Sequence, residues 1–188
     1  MSQDPPTLEG RQFPPIPFTR AVALDPWLEP LPTPGPTPFH IASSLKDQPV
    51  DPPKLLVINS ESFTLWKSHF ARLQALVRTW NTAAEEQTET RDGDSEKGPF
   101  AYLITLVRAK HVSFSDFGVV VPFGSMHREG RKFLDVICDM TDAFLNQGFE
   151  DVLHKQQQVD GKVEVVDGGK KGHTEERFVG NVGDIIVH

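Results

Sequence analysis

The strongest pattern in the chain is a near-continuous apolar run from Phe100 to Val107, FAYLITLV. A run of that length, rich in Leu, Ile and Val, predicts a strand buried on both faces, as in a parallel sheet. Lys54–Asn59, KLLVIN, repeats the pattern and is closed by Asn59-Ser60-Glu61-Ser62, which offers side chains for a helix N-cap. Between the two runs, Phe63, Trp66, Phe70, Leu73, Val77 and Trp80 fall at steps of three and four residues. This spacing predicts a helix from about Ser62 to Trp80 with one apolar stripe facing a core, rather than a groove for a partner. Strand, helix and strand then read as a βαβ unit. A third strand is predicted at Thr19–Leu24, TRAVAL, ended by Asp25-Pro26. A second helix is predicted over Arg131–Leu145, with Phe133, Ile137, Met140 and Phe144 at helical spacing and Gly148 placed to end it.

Composition changes the picture mainly at the ends. Residues 1–53 hold 14 of the 16 prolines, which forbids long helices and interior strands there. Residues 28–40 read as a polyproline-like loop, and residues 1–16 as a disordered N-terminus. Asn81–Gly98 has no large apolar residue and six acidic ones, and reads as a solvated, disordered insertion. From residue 155 to 188 the chain turns to QQQ, DGK, DGGKKG and GNVGD and reads as a flexible tail. Within it, Lys162–Val166 and Asp184–Val187 read as short strands that could pair with each other. The predicted domain is therefore 17–154, of α/β class, with a mostly parallel sheet and flanking helices.

Several function classes are excluded at this level. A net charge of −7 argues against nucleic acid as the main partner. Cys138 is the lone cysteine, so no internal disulfide forms, and a reducing, cytoplasmic setting is expected. The polar start MSQDPPTLEG reads as neither a signal nor a transit peptide. Seven histidines include no H-E-x-x-H pair and there is no Cys-x-x-Cys, so neither a metal nor another cofactor is expected. Val119–Phe123, VVVPF, reads as a buried segment, with transient contact to a membrane surface or an acyl chain as the alternative.

The candidate chemistry is a pair. Asp25 and His111 each follow a predicted strand, and open α/β sheets hold their reactive groups at the carboxyl ends of strands. A carboxylate accepting from one imidazole nitrogen fixes the tautomer and leaves the other nitrogen to act as general base. Taken singly, an Asp before Pro is a turn former and a His at a strand end is a structural or surface residue. His127 and His154 read as surface residues.

Three ordered segments, ALDPWLEPL, LLVINSESF and KHVSFSDF, resemble the platelet-activating factor acetylhydrolase family of calcium-independent phospholipid esterases, over about residues 17–150. The resemblance implies an α/β-hydrolase fold, with Asp25 as the triad acid. It implies His111 as the triad histidine, set before Phe114, Asp116 and Phe117. Cleavage of the sn-2 short acyl ester of a phospholipid would follow, with no cofactor. Such enzymes run Ser, Asp, His, with the serine in a G-x-S-x-G elbow. None of the ten serines sits in that pattern. Ser125, in FGSMH, lacks the second glycine and follows His111. The resemblance therefore implies the C-terminal part of such a hydrolase, without its nucleophile. The alternative is a non-catalytic relative acting as an interaction module.

Overall fold

In a computed structural model of the protein, the described residues are 7–8, 11–12, 18–29, 52–89, 98–115, 120, 125–146, 148–168 and 172–188. The chain opens with two short antiparallel strands, β1 (Thr7–Leu8) and β2 (Arg11–Gln12). The main sheet contains β3 (Arg20–Leu24), β4 (Lys54–Ser60), β5 (Ala101–Leu106) and β8 (Ile185–Val187), in the order β3-β4-β5-β8. The first three strands are parallel, and β8 pairs antiparallel with β5. Between β4 and β5 lie α1 (Glu61–Leu65) and α2 (Lys67–Glu89); after β5 come α3 (Ser125–Asn146) and α4 (Phe149–Lys155). A separate antiparallel hairpin is formed by β6 (Val163–Asp167) and β7 (Thr174–Phe178).

The central strands carry apolar side chains on both faces, as their sequence required. Leu55 and Val57 of β4, with Ala101 and Leu103 of β5, pack against Leu73, Val77, Trp80, Ala83 and Ala84 of α2. Leu56, Ile58, Ile104 and Leu106 point the other way, onto Phe133, Ile137, Met140 and Phe144 of α3 and Phe149 and Leu153 of α4. Helices therefore cover both faces. Gly148, at φ +97°, takes the left-handed turn that separates α3 from α4.

Three expectations are corrected. The helix predicted over Ser62–Trp80 is broken at Trp66, which ends α1 at ψ 88° while its carbonyl accepts from Phe70 N at the start of α2. The break turns the front of the apolar stripe away from the core: Trp66 is exposed, while Leu73, Val77 and Trp80 are buried. Second, residues 81–89 of the supposed 81–98 insertion continue α2. Ala83 and Ala84 are buried there, and the Asn81 carboxamide bonds both the N–H and the carbonyl of Ala101, tying the helix to the start of β5. The part at 90–97 lies outside the described residues.

Third, residues 155–188 are not a loose tail. Ile185 and Ile186 are buried, and β8 closes the β5 side of the sheet. The partner of Val163–Asp167 is Thr174–Phe178, not the terminal segment. Short strands such as β8 carry little signal of their own and are held by the edge they complete. The predicted disorder of residues 1–16 falls mostly outside the described residues, as does Val119–Phe123; Val120, which is described, is exposed.

Candidate active site

The parallel strands β3, β4 and β5 end at the same edge of the sheet, β3 two residues short of the other two, and the residues there make the site. β3 stops because Asp25 enters the left-handed region at φ +44°. That conformation is uncommon for a non-glycine residue, though Asp tolerates it better than most, and such strain collects where surrounding bonds over-determine it. Here those bonds are clear. Asp25 N donates to the Ile58 carbonyl at 2.7 Å, and Ser60 N donates to Asp25 Oδ1 at 2.6 Å. The strand thus ends at Asp25-Pro26, as the sequence predicts.

β5 ends in a turn at Arg108, also left-handed at φ +68°. The buried Glu61 fixes this turn: its Oε2 accepts from Arg108 N at 2.7 Å. Ser62 N donates to the Ala109 carbonyl from the same helix start. The chain then enters a 3-10 turn, His111–Phe114, that presents His111. The His111 ring stacks on Phe63 of α1, with centroids 5.1 Å apart and planes 16° off parallel.

The structure brings together the two residues singled out from sequence. His111 Nδ1 lies 2.7 Å from Asp25 Oδ2. The Asp25 side chain is completely buried, while that of His111 is 59% exposed. A carboxylate without access to water must be satisfied internally, so Nδ1 carries the hydrogen and Nε2 presents a lone pair outward. This is the arrangement of a general base held in one tautomer. Of the Phe114, Asp116 and Phe117 pattern, Phe114 packs against the α3-side core, while Asp116 and Phe117 lie outside the described residues. His154 is exposed, as expected, and its Nδ1 bonds the Glu150 carbonyl; His127 is half-buried in α3. Among the described residues no group of three or more His, Cys, Asp or Glu side chains is gathered to hold a metal ion. No helix among them is long and apolar enough to cross a membrane.

Sequence reasoning missed a second histidine. His69 of α2 is fully buried, with Phe63 and Trp66 packed on its ring. Among the described residues neither ring nitrogen closes a well-formed hydrogen bond; the Glu29 carboxylate is 3.8 Å from Nδ1, and the Pro26 backbone interacts weakly with the ring. Burial pushes its pKa below the usual 6.5, against the opposing pull of Glu29 and Asp25. The folded state therefore binds this proton less readily than the unfolded chain. The His69 contribution to stability is intact above about pH 6.5 and is lost as pH falls below it. His188, also depressed by burial, adds the same sign. His69→Phe is expected to raise stability by about 1 kcal/mol at neutral pH, by removing polar atoms that lack partners. The same change should flatten the decline toward pH 5. Urea unfolding of both proteins across that range measures this, and equal slopes would show that His69 is not its source.

No protein family matches the chain, and neither the curated proteins nor the solved structures contain a match to it.

Proposed function

We propose that the chain is the C-terminal part of a serine-type carboxylic ester hydrolase of the platelet-activating factor acetylhydrolase kind. Its reaction is cleavage of the sn-2 acetyl or short acyl ester of a glycerophospholipid. The observation that carries the reading is the 2.7 Å contact between a wholly buried Asp25 carboxylate and the outward-facing His111 ring. In the proposed mechanism a serine from outside this chain attacks the ester carbonyl. His111 Nε2 takes its proton and returns it to the leaving alcohol, and Asp25 holds the imidazole and stabilises its cation. No metal or cofactor is invoked.

A second reading, a non-catalytic relative acting as an interaction module, is favoured by one observation. Among the described residues, His111 is hydrogen-bonded to no serine, and none of the chain's ten serines stands in a nucleophile elbow. The 188-residue chain is expected to stay unlabelled by a fluorophosphonate probe, because the probe needs an activated serine. Labelling that depends on His111 would defeat the non-catalytic reading and reveal a nucleophile within the chain.

A further inference from the structure

The polar residues at the ends of the strands are not separate. Asn59, last but one in β4, lies between the end of β3 and Thr105 of β5, its register partner. All of Asn59, Thr64 and Thr105 are buried. The Asn59 carboxamide satisfies its neighbours when Nδ2 faces Asp25. It then donates to Asp25 Oδ1 at 3.0 Å, while its oxygen accepts from Thr64 N at 3.2 Å and Thr64 Oγ1 at 2.8 Å. Thr64 Oγ1 is also 2.7 Å from Thr105 Oγ1, and Thr105 Oγ1 is 2.9 Å from His188 Nε2. The His188 ring is held edge-on against Phe70, with centroids 4.7 Å apart.

Hydrogen counting gives this row one direction. Thr64 has a single hydroxyl hydrogen, shared between the Asn59 oxygen and the Ser60 carbonyl at 2.9 Å. It must therefore accept from Thr105. Thr105, having donated, must accept from His188, which carries its hydrogen on Nε2. Every hydrogen points toward Asp25, through Asn59 from one side and from His111 Nδ1 on the other. Bonds aligned in this way polarise one another in a low-dielectric interior.

We infer that Asn59 is a positioning residue for the Asp25–His111 pair, held in register by the buried Thr64 and Thr105, with Thr105 bonded in turn to His188 just after β8. The inference rests on the hydrolase reading above for its purpose, but not for its test. Asn59 supplies a second donor to Asp25 Oδ1 beside Ser60 N. With Oδ1 fully engaged, the carboxylate cannot rotate, and Oδ2 stays aimed at His111. Burial lowers the pKa of His188, and its ring donates from Nε2 to Thr105 either as the Nε2-H tautomer or as the cation.

The test reads the tautomer of His111 in the 188-residue chain, by nitrogen-15 NMR of the ring at neutral pH. The parent is expected to show one form, hydrogen on Nδ1, with slow exchange of that hydrogen. Asn59→Leu should lose the single form. Thr64 provides a variant pair that separates bonding from packing, and it carries the test should Asn59→Leu fail to fold. Thr64→Val keeps the shape and removes the hydroxyl; Thr64→Ser keeps the hydroxyl and removes a methyl group. Faster exchange in Thr64→Val, with parental behaviour in Thr64→Ser, supports the chain. Parental behaviour in Thr64→Val, or equal loss in both, overturns it while leaving the hydrolase reading standing. A parent without a fixed tautomer would defeat both.

Discussion

His111→Ala is expected to lower kcat by about a millionfold in a longer protein that places a Gly-x-Ser-x-Gly elbow ahead of this chain. The size follows from losing the general base of a serine nucleophile, where removal of one member disables the group. Asp25→Asn should cost about ten-thousandfold, because an amide facing Nδ1 favours the wrong tautomer. The structure sharpens the second number. Asp25 Oδ1 also accepts from Ser60 N, so Asp25→Asn keeps that acceptor only if the new amide turns its nitrogen toward His111. Release of acetate from a 2-acetyl glycerophosphocholine measures both variants. Retained turnover in His111→Ala would remove that residue from the proposed role, and with it the reading of the site.

The second large effect concerns stability, in a segment whose sequence looks dispensable. Ile185→Ala is expected to destabilise the fold by about 2–5 kcal/mol, the usual range for emptying a fully buried aliphatic site. Ile185 has no exposed surface and packs in the α3-side core with Leu56, Ile58, Ile104 and Leu106. Its backbone is also tied down, since Ile185 N donates to the Gln157 carbonyl and Val159 N donates to the Ile185 carbonyl. Val165→Ala, at an exposed position of β6, serves as the control and should change stability by less than about 0.5 kcal/mol. Urea unfolding followed by circular dichroism compares the two. A loss at Ile185 no larger than at Val165 would mean that β8 is not part of the core.

The two predictions draw on different parts of the chain, and the difference shows what was legible in it. Asp25 and His111 were readable because each follows a strand whose apolar run is unmistakable. Glu61 and Asn59 announced themselves only as part of a helix-capping segment, and Thr64 not at all. Their partners, Arg108 N, Asp25 Oδ1 and Thr105 Oγ1, come from segments 47, 34 and 41 residues away, and no local pattern records such a meeting. His69 was hidden in the same way: it falls one step before Phe70 in the helical stripe, and only the break at Trp66 decides what surrounds it.

By itself, the sequence determined the β3, β4 and β5 strands, the two long helices and the class of sheet. These follow from periodic burial, which is written locally in runs of Leu, Ile, Val and Phe. Tertiary structure alone decided that the last strand closes the sheet antiparallel, that the acidic segment begins as helix, and that a polar row joins His188 to His111. Each of those outcomes depends on an edge, a groove or a buried donor supplied by a distant part of the chain. A short or polar segment takes its conformation from such a partner, since its own side chains bury too little to choose one.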